Sequence, residues 1–282
     1  MSDVKITASI VLYNTPRSQI DMVLKSVFES GCVEILYIID NSPSDRWRIL
    51  ENRNEGDSKN TKIRYIHNEN LGYGASHNLA MQEAIESGSV YHIVLNPDIS
   101  FGEEVLSALT NFMEENKEAS YVLPKVVYPD GEIQYLCKLL PTPGDLIFRR
   151  FLPKRWGKKR NDRYCLKMSA YDKVINPPCL SGCFMFLRLS VLAENSIFFD
   201  EGYFMYCEDF DLMRRLHRVS KTLYFPGVQI IHDHQKESYK NRKMLIAHIK
   251  SAVRYFGKFG WWFDRERREM NKKILQEIFL DE

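Results

Sequence analysis

The sequence predicts an α/β protein built on a doubly wound, mostly parallel sheet. Apolar segments of strand length alternate with segments of helical periodicity across residues 1–125, and this alternation is typical of strands joined by crossover helices. One apolar segment, Tyr91–Leu95, stops abruptly at Asn96-Pro97-Asp98. A buried parallel strand that ends in a carboxylate places that carboxylate at the edge where open α/β sheets bind ligands.

The start of the chain predicts a strand, a helix and a second strand joined by a right-handed crossover. Ile6–Tyr13 is the first strand, and Thr15-Pro16 has the residues of a helix N-cap and first helical position. Apolar residues then recur at helical spacing until Gly31 ends the helix. Val33–Ile39 is the second strand, and it ends in Asp40-Asn41-Ser42.

The rest of the chain predicts further strands and helices, with one irregular interval. The other predicted strands are Lys62–His67, Tyr91–Leu95, Tyr121–Tyr128, Ser181–Leu189, Thr222–Phe225 and Val228–His232. The other predicted helices are Ala75–Glu86, Phe101–Glu115, Glu208 to Val219, Met244–Phe256 and Trp262 to Phe279, with a helix and loop between Asp45 and Lys59. The interval from Cys137 to Pro178 is basic and aromatic and has no clean period, so no element is assigned to it.

The composition indicates a folded protein that does not bind nucleic acid. The formal net charge is only +2, which is too low for a polyanion binder, and no nucleic-acid motif is present. The six cysteines are scattered without the spacing of a zinc site, so we expect reduced thiols in a cytoplasmic protein. We expect no signal peptide, because Met1 leads directly into a polar residue and a strand. No apolar run approaches the ~20 residues of a membrane-spanning helix.

Two segments favour contact with a membrane surface. Arg149–Lys173 holds ten Lys or Arg against two Asp, and Phe148 and Trp156 add aromatic rings to it. Trp261-Trp262 precedes a charged helix, and tryptophan favours the headgroup level of a bilayer. An anionic lipid surface or a lipid-diphosphate acceptor would suit both segments, although a basic segment can also be a solvated surface. We therefore expect peripheral contact with the inner face of the membrane.

Four polar clusters lie at predicted strand ends or helix starts. They are Asp40-Asn41, Asn70-Leu71-Gly72-Tyr73-Gly74, Asn96-Pro97-Asp98 and Glu208-Asp209. The first three should converge, because strand ends of one sense lie on one edge of a parallel sheet. The glycines would let backbone approach a ligand, and the helix N-terminus after them favours an anion. With Asp98 as a ligand of Mg²⁺ and Asp40 bonded to a base or ribose, these clusters describe a nucleotide diphosphate site.

The order of these motifs resembles the family 2 glycosyltransferases, and more narrowly the bacterial rhamnosyltransferase branch that builds cell-surface polysaccharides such as O-antigen. The motifs are SIVLYN, IIDNSPSD, NENLGYGASHN, LNPDI, LSGCFMFLR and GYFMYCEDFDL, from Thr7 to Ser238. The resemblance implies the GT-A fold, a Rossmann-like sheet with an acceptor-side C-terminal half. The chain would then divide into a donor-binding half (residues 1–130), an acceptor-side half with the catalytic base (131–240) and C-terminal helices (241–282).

The resemblance also implies a role for individual residues. The donor-binding residues would be Tyr13, Asn14, Asp40 and Asn41 at the nucleoside, and Gly72, Asn78 and Asn96 around the donor site. Asn96-Pro97-Asp98 matches an Asp-x-Asp metal motif with Asn in the first acidic position, which leaves Asp98 as the main protein ligand of Mg²⁺ or Mn²⁺. Asp209 matches the catalytic base. His232 matches a C-terminal histidine that can approach the metal or the diphosphate.

We therefore expect an inverting glycosyltransferase that moves L-rhamnose from dTDP-L-rhamnose to a saccharide or polyprenyl-diphosphate-linked acceptor. Asp209 would take the proton of the acceptor hydroxyl. A UDP-sugar enzyme is the alternative within this class. A nucleotidyltransferase would be expected to add Lys or Arg to its phosphate loops, and Asn68–His77 has neither. A non-catalytic carbohydrate-binding protein would need neither a base nor a metal carboxylate.

Simpler structural roles are open for several of these residues. They are a helix-dipole partner for Glu208 and Asp209, a turn residue for Asp40, and a packed or capping residue for His232. Asp211 is expected to be structural, either bonded to backbone or paired with Arg214 or Arg215. His232 and His234 alternate along a strand, so one of them should face the interior.

Overall fold

The computed structural model describes residues 4–52, 61–146, 154–233 and 242–280. The strands in this part of the chain are β1 (Ile6–Leu12), β2 (Val33–Asp40), β3 (Lys62–His67), β4 (Tyr91–Leu95), β5 (Ile99–Phe101), β6 (Ala119–Val127), β7 (Phe184–Arg188) and β8 (Lys221–His232). The α-helices are α1 (Arg17–Ser30), α2 (Tyr73–Glu86), α3 (Glu104–Glu115), α4 (Pro143–Leu146), α5 (Lys154–Tyr164), α6 (Leu189–Glu194), α7 (Glu208–Val219), α8 (Arg242–Phe259) and α9 (Arg265–Leu280).

The eight described strands form one sheet in the order β3-β2-β1-β4-β7-β6-β8-β5. The first four are parallel to one another, as the alternation of strands and helices predicts. β7 is antiparallel to both β4 and β6, whereas β6 and β8 are parallel. Every residue of β4 is buried, because this strand lies in the middle of a sheet that is covered on both faces. The end of β4 is therefore held rigidly.

The structure differs from the predicted elements in three main places. Phe101 was assigned to a helix, but Ile99–Phe101 pairs with the end of β8 and α3 begins only at Glu104. Thr222–Phe225 and Val228–His232 were assigned to two strands, but they form one irregular strand, β8, whose register against β6 shifts at the Pro-Gly turn. The third is α5, a helix inside the interval that has no period; its described residues are mostly charged, so hydrophobic periodicity could not reveal it.

Some predictions lie outside the described residues. Residues 147–153 and 234–241 are not described, so the predictions on Phe148 and His234 are not addressed, and the side chain of Trp156 is not described either. Between residues 45 and 59 the described part is a 3₁₀ turn, Arg46–Asn52. Among the described helices, none combines the length and the apolar composition that crossing a bilayer requires.

A buried ion pair fastens the C-terminal helices to α7. Arg214 donates through Nη1 and Nη2 to the two carboxylate oxygens of Asp264, at 2.7 and 2.6 Å, and through Nε to Glu266 at 2.7 Å. The side chains of Arg214 and Asp264 are each only 2% exposed. Burial opposes the charge on Asp264, but the hydrogen bonds from Arg214 outweigh it and lower the pKa of this carboxyl. The start of α9 is thereby tied to the helix that carries Asp209.

A network of buried polar side chains joins β1, β4 and α2. His92 hydrogen bonds through Nδ1 to the Thr7 hydroxyl and through Nε2 to the Ser9 hydroxyl, both at 2.8 Å. The same Ser9 hydroxyl lies 2.7 Å from Nδ1 of His77. Burial lowers the pKa of His92 to about 3 and holds the pKa of His77 well below its usual value. Both imidazoles are therefore neutral in the folded protein.

This network predicts that acid destabilises the fold through His92. In the unfolded chain His92 gains a proton below pH ~6.5, whereas in the folded chain it resists protonation down to its lowered pKa. Its contribution to stability is therefore intact above pH ~6.5 and decreases as the pH falls. Between pH 6.5 and pH 5 the stability advantage of the wild type over His92→Asn should shrink by about 2 kcal/mol. Urea unfolding of both proteins measures this, and a constant difference would contradict the prediction.

Candidate active site

The end of β2 is tied to the neighbouring loops by Asp40 and Asn41. Asp40 has no exposed surface; its carboxylate accepts hydrogen bonds from the Ser42 backbone N–H at 3.0 Å and from the Tyr65 hydroxyl at 2.7 Å. Asn41 donates to the Ser76 hydroxyl at 2.8 Å, and its carbonyl oxygen accepts from Asn68 at 2.9 Å. The ends of β2 and β3 and the first turn of α2 therefore meet, as the polar clusters predict.

Tyr13 and Asn14 follow β1 at the same edge of the sheet. Asn14 has a left-handed backbone with a φ of 52°, and its N–H donates to the Ser42 hydroxyl at 2.9 Å. The side chain of Asn14 is exposed, and Tyr13 is 56% exposed. A tyrosine ring that protrudes beside a polar loop can stack on the flat face of a base or sugar.

Gly72 brings the first half of the chain into contact with the second half. It has a φ of +91°, and a Cβ at this position would lie 2.2 Å from the carbonyl oxygen of Phe204. The N–H of Tyr73 donates to that same oxygen at 3.0 Å. Only glycine combines this backbone conformation with so close an approach. The glycine-rich loop therefore contacts the segment that leads into α7.

Tyr73 connects the end of β4 with the strand that follows Gly182. Its hydroxyl lies 3.0 Å from the side-chain oxygen of Asn96 and 2.8 Å from the carbonyl oxygen of Gly182. Burial holds the pKa of Tyr73 well above its usual value, and the charges of Glu208, Asp209 and Asp98 add to this effect. All three carboxylates therefore act on one hydroxyl group. In the sequence, Tyr73 stands out only as a member of the glycine-rich cluster.

Asp98 and His232 meet at the ends of two strands. Oδ1 of Asp98 lies 3.4 Å from Nε2 of His232, and the Asp98 side chain is 17% exposed. Gln134 donates to the His232 carbonyl oxygen at 2.7 Å, and its own oxygen lies 2.9 Å from Nδ1 of His232. This amide orientation makes Nδ1 the donor to Gln134, so Nε2 is directed at Asp98. His232 is thus the histidine that faces the interior.

The environment of His232 favours positive charge at this position. Burial alone would lower the pKa of His232, but the adjacent Cys183 and Asp98 outweigh it and raise the pKa to about 10. An Asp98 oxygen and an imidazole nitrogen that face each other attract a cation, either a proton or a metal ion.

Asp209 lies in the first turn of α7. Its Oδ1 accepts a hydrogen bond from the Phe210 backbone N–H at 2.8 Å, and the backbone N–H of Gly182 also bonds to the carboxylate. A Cβ on Gly182 would lie 3.2 Å from that of Asp209. Burial raises the pKa of Asp209, and the charge of Lys138 opposes this rise. Through Gly182 and Tyr73, Asp209 is thus connected to Asn96 and the end of β4.

The two other carboxylates in this turn differ from Asp209. Glu208 is buried, and its Oε2 has no hydrogen-bond partner in the described part of the chain; burial and the charge of Asp209 raise the pKa of Glu208 to about 8. Asp211 has no exposed surface and pairs with Arg215 at 2.5 Å and with Lys258 at 2.6 Å. The predicted structural role of Asp211, with Arg215 as its partner, is confirmed.

Asn78 is bonded to the second half of the chain. It was expected to shape the donor site; it is buried, and its amide hydrogen bonds to the segment that precedes α7. Its Nδ2 donates to the Phe199 carbonyl oxygen at 2.9 Å and to Glu201 at 3.0 Å, and its oxygen accepts from the Phe199 N–H at 3.0 Å. Asn78 therefore fixes the segment that precedes α7. Asp40, enclosed in the same way, orders the loop after β2.

The donor set near Asp98 fits a divalent ion that is shared with a ligand. The described residues contain no cluster of three or more His, Cys, Asp or Glu side chains that could hold an ion by themselves. Asp98 and His232 supply one oxygen and one nitrogen from adjacent strand ends. Mg²⁺ commonly takes one or two protein ligands and completes its coordination with phosphate oxygens and water. These two residues would leave most of the coordination sphere of such an ion to phosphate oxygens and water.

Solved structures define the class of this fold. The protein is similar to TarS from S. aureus, with a TM-score of 0.58 and 17% sequence identity, over 98% of this chain and 43% of that chain. A TarS fragment, residues 1–349, in complex with UDP-GlcNAc gives a TM-score of 0.57 over 98% of this chain and 71% of that chain. The chain spans less than half of the longer TarS structure. The fold is the GT-A fold of glycosyltransferases.

The sequence comparisons identify the family. Residues 7–194 match the family model described as Glycosyl transferase family 2, and the chain belongs to this family. It is 29% identical to the rhamnosyltransferase WbbL of Escherichia coli K12, over 69% of this chain and 73% of that protein. It is 26% identical to an N-acetylglucosaminyl-diphospho-decaprenol L-rhamnosyltransferase of Mycobacterium tuberculosis, over 68% of this chain and 66% of that protein.

Proposed function

We propose that the protein is an inverting glycosyltransferase that moves L-rhamnose from dTDP-L-rhamnose to a saccharide or polyprenyl-diphosphate-linked acceptor in cell-surface polysaccharide synthesis. The observation that carries this proposal is the connection of Asp209 to the Asp98–His232 pair through Gly182, Tyr73 and Asn96. Two relatives are named for rhamnosyl transfer, and one of these names contains a diphospho-decaprenol acceptor. A UDP-sugar donor is the second candidate, favoured by the likeness to TarS, which was solved with UDP-GlcNAc.

In this proposal Asp209 is the general base. One of its oxygens takes the proton of the acceptor hydroxyl while the hydroxyl oxygen attacks the anomeric carbon. The new bond to the acceptor forms as the bond to the diphosphate oxygen breaks, through an oxocarbenium-like state, and the configuration inverts. The N–H groups of Phe210 and Gly182 hold the carboxylate in place. Lys138 favours its charged form.

The donor would lie along the edge formed by the strand ends. Tyr13, Asn14 and Asn41 would line the nucleoside, while Gly72 and Asn96 would shape the space for the diphosphate. We assign positioning roles to Asp40 and Asn78, because their buried hydrogen bonds order the loop after β2 and the segment before α7. Asp98 and His232 would hold Mg²⁺ or Mn²⁺, and such an ion, when bound, neutralises charge that develops on the diphosphate leaving group.

Asp98→Ala should uncouple nucleotide binding from the metal. The wild type should bind dTDP more tightly with Mn²⁺ than without it, because the ion joins protein and diphosphate. The variant should lose at least about tenfold in the Mn²⁺-dependent affinity, since even groups that only orient metal ligands cost that much when they are removed. Isothermal titration calorimetry with and without Mn²⁺ measures both affinities. The matched control is Asp130→Ala, which alters an exposed turn carboxylate and should leave binding unchanged.

The outcome also separates the candidate functions. If the wild type binds neither dTDP nor UDP in a Mn²⁺-dependent manner, a non-catalytic carbohydrate-binding protein becomes the better explanation. A screen of donor hydrolysis across nucleotide sugars then identifies the donor, with released nucleotide as the readout. Preferential hydrolysis of dTDP-L-rhamnose supports the proposal, and preferential hydrolysis of a UDP-sugar supports the second candidate.

A further inference from the structure

A groove of about 750 Å³ lies between the segment 139–145, the end of α5 and one face of α9. Five cationic side chains line it: Arg160, Arg163, Arg267, Arg268 and Lys272. The acidic residue in the lining is Asp145, which pairs with Arg160 at 2.9 Å. Arg163, Arg268 and Lys272 are exposed. The groove therefore presents a clear excess of positive charge although the chain as a whole is nearly neutral.

Exposed apolar side chains lie at both ends of α9. At its C-terminal end, Phe279 is 57% exposed and Leu280 is 84% exposed, and both line the groove. At its N-terminal end, Arg268 donates to the Trp262 carbonyl oxygen at 3.5 Å. Trp262 and Phe263 are 63% and 91% exposed. Large apolar side chains this exposed, flanking a row of cations, are uncommon on a surface that contacts only water.

We propose that this groove and the apolar residues at its two ends dock the protein on an anionic membrane surface. Lys and Arg are attracted to the negative headgroups of such a leaflet. Tryptophan and other large apolar side chains lower their free energy by leaving water at the headgroup level. Both kinds of group line the groove, where Arg268, Lys272, Phe279 and Leu280 all belong to α9. The docking surface consists of the exposed groove residues Arg163, Arg268, Lys272, Phe279 and Leu280, together with Trp262 and Phe263 before α9.

The groove lies close to the proposed catalytic base, so a role for membrane docking follows if the proposed function is correct. The charge of Lys138 acts on Asp209, and the next two residues, Leu139 and Leu140, line the groove. Two residues span at most roughly 7 Å of chain, so the groove begins close to the base. A bilayer seated there lies on the acceptor side of Asp209, where a lipid-linked acceptor would be presented.

Vesicle binding tests the proposal without any need for sugar transfer. The protein is sedimented with phosphatidylcholine vesicles that contain or lack phosphatidylglycerol. Wild-type protein should bind only the anionic vesicles. The variant Arg163→Gln, Arg268→Gln, Lys272→Gln should bind roughly 100-fold more weakly, as expected from losing three charges near an anionic leaflet. The control Lys158→Gln, Arg265→Gln, Lys273→Gln removes three exposed charges that do not line the groove, and it should bind like wild type.

A second variant tests the apolar contribution. Phe279→Ser with Leu280→Ser changes two exposed residues, so the fold should be unaffected, yet vesicle binding should weaken even at high salt. Equal loss in the groove and control variants, or wild-type protein that binds no anionic vesicle, overturns the proposal. So does a wild-type dimer in sedimentation equilibrium that only the groove variant loses, because a second copy would then occupy this face. Vesicle binding without donor hydrolysis would leave docking in place and remove the proposed function.

Discussion

Asp209→Asn is expected to lower the turnover for sugar transfer by about 10³-fold while donor affinity stays within a few-fold of wild type. General-base assistance contributes ~10²–10⁴-fold to a rate, and asparagine cannot take the proton. The substitution keeps the size of the side chain and an oxygen that can accept the Phe210 N–H, so the start of α7 should be preserved. The loss should therefore fall on kcat rather than on donor binding.

Glu208→Gln is the matched control for this prediction. The pKa of Glu208 is raised to about 8, so at neutral pH the side chain is already mostly uncharged and glutamine resembles it. Turnover of this variant should remain within about tenfold of wild type. Single-turnover rates for both variants, together with calorimetry of donor binding, provide the comparison. If Asp209 served only the dipole of α7, both variants would transfer sugar at rates close to wild type, and Asp209 would lose its role as base.

Asp264→Ala is expected to destabilise the protein by about 3–5 kcal/mol, because removal of its bidentate partner leaves the buried charge of Arg214 only partly compensated. The charge left behind is that of Arg214, whose side chain is 2% exposed and whose remaining partner, Glu266, contacts it from one side. Since this pair ties α9 to α7, the C-terminal helices should loosen first.

Urea unfolding measures this loss of stability, and a surface ion pair of α9 serves as the control for comparison. Glu269→Ala removes the exposed partner of Arg265 and should cost no more than about 0.5 kcal/mol. The double change Arg214→Met, Asp264→Leu should recover most of the lost stability, because an apolar pair avoids the cost of burying charge. A loss below about 1 kcal/mol for Asp264→Ala would show that solvent reaches Arg214 and that the pair does not clamp the helices.

The sequence predicted the first half of the fold well because local patterns determine it. β1, β2 and β4 are short apolar runs followed by polar residues, and α1 and α3 each have a clear apolar stripe. The place of β7 could not be predicted, since its pairing with β4 depends on residues about ninety positions apart. α5 could not be predicted either, because it lacks an apolar stripe. Periodicity reports a helix only where the helix packs against a core.

The candidate site was predicted only in part, because local motifs are visible in the sequence and long-range contacts are not. The carboxylates of Asp98 and Asp209 stand in recognisable motifs, and the structure connects the two positions through Tyr73 and Gly182. Sequence gave no sign that Gln134 orients His232, because these residues are 98 positions apart and glutamine is not a diagnostic residue. The enclosure of Asn78 was equally hidden. A polar side chain in a motif has the same letter whether it faces a ligand or the neighbouring backbone.

The insertion of β7 between β4 and β6 has a consequence for how such enzymes diverge. In the described sheet, β6, β8 and β5 join the other strands only through β7, which comes from the second half of the chain. Chimeras that exchange the second half between relatives would therefore replace the middle of the sheet rather than an appendage. We therefore expect new acceptor preferences in this architecture to arise through loop changes rather than by recombination of halves.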